Sequence, residues 1–107
     1  MGETVLSEAI DQILREEADE RARQERREAR RQHVRTLDRW LNAVETMLEE
    51  DRRTVPEPLF REIGGFLRQQ APPLHRELQR NRNRDAARVL DVLFDAQEAL
   101  KTVPGAR

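Results

Sequence analysis

Residues 4–56 read TVLSEAIDQILREEADERARQERREARRQHVRTLDRWLNAVETMLEEDRRTVP, and the closing Pro56 is the first proline or glycine in the stretch. Glu, Arg, Ala, Leu and Gln dominate it, and all are strong helix formers. Leu6, Ile10 and Ile13, then Val34, Leu37, Leu41, Val44 and Leu48, recur at the three- and four-residue spacing of a helical face. The spacing predicts one long helix over about residues 5–51. Thr4 or Ser7 is placed to cap its start, and the acids of the first turns suit the positive end of the helix dipole.

Leu6, Ile13, Val34, Leu41 and Leu48 differ by multiples of seven and so share a heptad frame. Between the two apolar ends, residues 16–33 offer only Ala18, Ala22 and Ala29 as apolar side chains. The pairs Glu17–Arg21 and Asp19–Arg23, four residues apart, are expected to keep this middle helical in water.

Downstream, Thr54-Val55-Pro56-Glu57-Pro58 breaks the chain, and Pro58 fits the first turn of a second helix. Leu59, Phe60, Ile63, Phe66 and Leu67 give that helix its apolar face. Gly64-Gly65 costs it about 1 kcal/mol per glycine relative to alanine and reads as a point of close packing or a kink. It is no phosphate loop, because no strand precedes it and no Lys-Ser/Thr follows. Ala71-Pro72-Pro73 is a second break. From Pro73 to about Thr102 the pattern allows one helix, or two divided near residues 81–85 with Asp85 as a cap. Ala86, Val89, Leu90, Leu93, Phe94, Gln97 and Leu100 mark its apolar stripe. The expected fold is all-α, a long N-terminal helix followed by a small C-terminal helical bundle, with three to four helices in total. The expected domains are a charged N-terminal helical extension over 1–33, a bundle over 34–103 and a frayed tail over 104–107.

Composition bounds the function. Hydrophobic residues make up 36% of the chain and charged residues 38%, against about 45–50% and about 25% in ordinary globular domains, so the core must be thin. Trp40, Phe60, Phe66 and Phe94 are the only aromatics, which argues against a deep aromatic-walled pocket and a small-molecule substrate. With no Cys there is no disulfide, thiolate metal site or cysteine nucleophile, and the composition fits a reducing cytoplasm. The start of the chain lacks a signal-peptide pattern, and Leu6 stands where a myristoylation signal after Gly2 wants Ser or Thr. No apolar run approaches the roughly 20 residues that span a bilayer, so no membrane partner is expected.

The groups that could do chemistry are scattered. Ser7 is the sole serine, and His33 and His75 are the only histidines. In His75-Arg76-Glu77 the two potential ligands are two residues apart and point to different sides of a helix. Asp91, Asp95 and Glu98 share a face, but the Glu-x-x-His pattern of bundle metal sites is missing. Arg84 and Arg88 extend that face into a salt-bridged surface. No catalytic group, metal or cofactor is expected, and the chain reads as a non-enzyme.

Charge is arranged in blocks. Residues 1–20 carry seven acids and one Arg, a net −6, whereas residues 21–39 carry eight Arg and three acids, a net +5. The line joining the apolar ends of the first helix passes through Glu16, Glu20, Arg23, Arg27 and Arg30. Two copies laid antiparallel, with paired residue numbers summing to about 47, set Leu6 against Leu41, Ile10 against Leu37 and Ile13 against Val34. The same register puts Glu17 beside Arg30 and Glu20 beside Arg27, whereas a parallel pair opposes like charges. Trp40 and Met47 flank this seam as bundle core. The sequence therefore predicts a non-enzymatic assembly, adaptor or regulatory protein that self-associates through its first helix or docks on another helical protein. The alternative is a small Arg-rich subunit on a nucleic-acid phosphate backbone. It would use Arg23, Arg26, Arg27, Arg30 and Arg31, with Arg80, Arg82, Arg84 and Arg88. A net charge of −1 and the lack of aromatics interleaved for base stacking weigh against it.

Overall fold

A computed structural model describes the backbone of residues 2–101 and the side chains of residues 7–101. The chain is all-α: α1 spans Gly2–Glu49, α2 Glu57–Gln70, α3 Pro72–Gln79 and α4 Ala86–Lys101, with no strand among the described residues. The first helix starts and stops slightly earlier than residues 5 and 51. Thr4 and Ser7 therefore lie within the helix rather than at its start, and the side chain of Thr4 lies outside the described residues. The expected frayed tail at 104–107 and the side chain of Leu6 lie outside the described residues.

The chain resolves into two compact units, Met1–Gln32 and His33–Arg107. In the first unit, α1 is exposed along residues 7–32 apart from half-buried Ala22 and Arg30. Its ion pairing differs from the i,i+4 pattern. Arg23 closes on Glu20 at 3.4 Å, one turn back at i,i+3, and neither Glu17–Arg21 nor Asp19–Arg23 is among the ion pairs of the described residues.

The second unit is a bundle around one core. Leu37, Trp40, Leu41 and Val44 of α1 meet Ile63 and Leu67 of α2, Leu78 of α3, and Ala86, Val89, Val92, Leu93 and Ala96 of α4. Phe66 stands between two rings, edge-on to His33 and to Trp40 with both centroid separations at 5.3 Å. Across the bundle, Gln97 Nε2 donates to Asp38 Oδ1 at 2.8 Å and ties α4 to α1.

The helix ends show why the breaks fall where they do. After α1, Arg52 N–H donates to the Met47 carbonyl at 2.7 Å and Asp51 N–H to that of Leu48 at 3.1 Å. Asp51 sits in the left-handed region at φ 61. This is a Schellman stop with Asp in the place glycine usually takes. Pro58 lies in the first turn of α2, and Pro72 and Pro73 open α3, where a missing N–H costs no helical hydrogen bond. Gly64 packs under α3: a Cβ there would lie 3.6–3.7 Å from Gln79 and Leu78. Gly65 faces open space, so only the first glycine serves close packing.

The described part of residues 73–102, up to Lys101, forms two helices rather than one. The turn between them is pinned by Asn81, the one buried polar residue of the described set. Its Oδ1 accepts from the Asp85 N–H at 2.9 Å, while its Nδ2 donates to the Asp85 carbonyl at 3.0 Å. Asp85 Oδ1 in turn accepts from the Ala87 N–H at 3.2 Å, the expected cap of α4. Arg84 adopts a left-handed backbone at φ 52, a conformation costing roughly 1–2 kcal/mol outside glycine. It allows two linkers to pair: Val55 N–H donates to the Arg84 carbonyl and Ala86 N–H to that of Arg53, both at 2.8 Å. Val55 is thereby drawn into the core with no exposure.

The buried face of α4 is rotated from the expected stripe. Val92 and Ala96 are inside, Leu90, Gln97 and Leu100 are half-buried, and Phe94 is 43% exposed. Replacing Asn81 with Ala should lower unfolding free energy by about 1–3 kcal/mol, because buried polar partners lose their bonds. Urea denaturation should show this as a lower midpoint at unchanged slope.

Candidate interaction surface

On α1 the residues nominated for association divide into two groups. Leu37 is fully buried and Leu41 almost so, both inside the chain's own core. Their place in the expected dimer seam is therefore corrected: an apolar residue already packed against α2–α4 has no face left for a second chain. Val34 is half-buried. Ile10 and Ile13, by contrast, are 49% and 55% exposed, and Leu14 beside them is 56% exposed. A branched aliphatic side chain left this open forgoes much of the roughly 1.5–3 kcal/mol that full burial yields.

Leu14 was not among the expected seam residues. The signal for it was present, since it stands four residues after Ile10 and next to Ile13, and so widens the same stripe. Charged neighbours rim that stripe: Glu8, Asp11, Arg15, Glu16 and Glu17 are all exposed. Further along, Glu20, Arg27 and Arg31 are exposed and Arg30 is half-buried.

The second unit offers shallower features. A groove of about 570 Å³ between α1 and α2 is lined by Arg39, Trp40, Ala43, Leu59 and Glu62. No sequence signal marks it, because it exists only once the two helices are apposed. A cleft of about 310 Å³ lies between α3 and α4, where Arg80 and Arg88 face Glu77 and Asp91 beside Asn81 and Val92. Two cations matched by two acids do not make an anion site.

The Arg residues nominated for phosphate contacts are partly engaged by acids. Arg23 pairs with Glu20, Arg84 approaches Glu57 at 3.8 Å, and Arg88 approaches Asp85 at 4.0 Å. Arg26, Arg80 and Arg82 are exposed. Asp91, Asp95 and Glu98 line the outside of α4, where Glu98 pairs with Lys101 at 3.9 Å. Among the described residues no group of three His or carboxylate side chains is placed to hold a metal ion. No described helix is long and apolar enough to cross a membrane.

Comparison with protein families, curated proteins and solved structures finds no match for this chain. The clearest feature of the described surface is the exposed aliphatic stripe of the first unit.

The two groups of α1 residues should respond differently to truncation. Leu37→Ala should cost about 2–5 kcal/mol of bundle stability, whereas Ile13→Ala should stay within about 0.5 kcal/mol at dilute, monomeric concentration. Chemical denaturation of the two variants in parallel measures both.

Proposed function

We propose that this chain is a non-catalytic assembly or adaptor protein that works by helix-to-helix association through the N-terminal half of α1. Its bundle, residues 33–101, is the folded body, and the stripe Ile10, Ile13 and Leu14 is the element a partner covers. The observation that carries this reading is the exposure of those three aliphatic side chains in a helix segment otherwise lined mainly by charged residues, glutamine and alanine. An amphipathic helix docks by such residues at i, i+3 and i+4 spacing. A coiled-coil homo-oligomer is the simplest assembly, and a regulatory role follows if association is what changes in the cell. The reading takes the cytoplasm as the compartment, in keeping with a chain free of Cys.

The Arg-rich segments support association better than phosphate tracking. Acids lie within ion-pair distance of Arg23, Arg84 and Arg88, and the cleft holding Arg80 and Arg88 carries as many acids as bases. In the association reading the basic block of α1 is instead a counterpart for an acidic helix, which sets register and orientation more than affinity.

The test is the mass of the full chain, purified from its host with and without nuclease. The reading predicts a complex heavier than the 12.6 kDa chain that survives nuclease and is lost in the Ile10→Asp/Ile13→Asp variant, while the bundle melts as before. A complex that dissolves on nuclease treatment, or one indifferent to the double substitution, would contradict it.

A further inference from the structure

The proposal above leaves open what covers the stripe, and the order of charges along α1 answers that question. On α1, Ile10, Ile13, Glu17, Glu20, Gln24, Arg27, Arg31 and Val34 follow one another at alternating spacings of three and four residues. That alternation is the seam of a two-stranded coiled coil. Read from the N-terminus, the seam runs aliphatic, acidic, amide, basic, aliphatic. A helix that covers it is favoured when it offers a base opposite Glu17 and an acid opposite Arg27. The chain's own α1, read backwards, has that order.

From this charge complementarity we infer that the occupant is a second copy of this chain, its α1 laid antiparallel over residues 10–34 with paired residue numbers summing to 44. The inference rests on the association reading of the preceding subsection and names its partner. In this register Ile10 lies beside the partner copy's Val34, Glu17 beside its Arg27, and Glu20 beside its Gln24. Ile13 lies under its Arg31, whose aliphatic stem can cover it while the guanidinium stays wet.

Burial decides between this register and the sum of 47 that the sequence pattern favours. The latter needs Leu37 and Leu41 as partners for Ile10 and Leu6, and both are closed inside the bundle. Sliding the second copy by three residues brings Ile10 to Val34, which is half-buried and keeps an exposed edge. It also seats the alternating positions of one helix against those of the other, as interdigitated side chains require. A parallel dimer would stack Glu17 on Glu17, Glu20 on Glu20, Arg27 on Arg27 and Arg31 on Arg31 along the same seam. Repulsion between like charges excludes it.

Because the chain has no Cys, single introduced thiols report the pairing. The full-length Glu17→Cys and Arg27→Cys variants are mixed at high micromolar concentration and oxidised, and a Glu17→Cys plus Arg30→Cys mixture is run alongside. Each mixed dimer of the first pair keeps one intact Glu17–Arg27 contact. The expected result is a 17–27 heterodisulfide that outnumbers both homodisulfides and also exceeds the 17–30 product. Positions 17 of the two copies would be ten residues apart along the axis, about 15 Å. A dominant 17–17 product would overturn the antiparallel orientation, and a dominant 17–30 product the register. A wild-type chain that sediments as a monomer at these concentrations, together with no heterodisulfide from the mixed variants, would overturn the second copy as occupant. If that monomer still bound a host helical protein through Ile10 and Ile13, this inference would fail while the association reading stood.

Discussion

Closure of the bundle core is the constraint from which the rest follows. Leu37, Leu41 and Val44 of α1 are buried against Ile63, Leu67, Leu78, Val89 and Leu93, and this fixes which apolar residues of the long helix are available for anything else. The core takes α1 from His33 onward, and the described residues before it, from Ser7 to Gln32, are exposed apart from Ala22 and Arg30. A helix segment this exposed depends on propensity and ion pairs, whereas most helical stability in proteins comes from packing. In the proposed reading, the aliphatic stripe over Ile10, Ile13 and Leu14 is what drives association, and the charge blocks give it a direction.

Much of the fold was legible in the residues. Proline marked the starts of α2 and α3, because a side chain that fixes φ and lacks an N–H suits a first turn and little else. Asp85 was readable as a cap, since its short carboxylate can reach an unpaired N–H of the opening turn. The end of α1 was harder to place, as Asp51 occupies a left-handed position without the glycine that normally announces one. The turn at Asn81 depends on both ends of one amide meeting one residue's backbone, a geometry no spacing rule anticipates. On α4 two overlapping stripes fit helical periodicity. Leu90, Phe94 and Gln97 look as regular as Val89, Val92 and Ala96, and only the positions of α1 and α3 decide which set turns inward.

The interaction surface was legible in part and for the same reason. Ile10 and Ile13 were identifiable as one face of a helix, but periodicity cannot say whether an apolar face meets its own chain or another. Leu37 and Leu41 share that ambiguity, and the bundle resolves it by burying them. The heptad frame linking Ile13 to Leu41 was also less binding than it looked. Four heptads separate them, and a straight α-helix drifts about 20° per heptad, so seven-residue spacing over that distance does not by itself keep two residues on one line. The groove beside Trp40 and Leu59 lay beyond sequence reading altogether, because its walls come from separate helices.

The central claim is that the N-terminal half of α1 gains its packing from outside its own chain. Amide hydrogen exchange as a function of protein concentration tests this most directly. The account predicts that protection over residues 7–32 rises steeply between low and high micromolar concentration, while protection over the bundle stays constant. Protection of residues 7–32 that already equals that of the bundle in dilute solution, and does not change on concentrating, would contradict it.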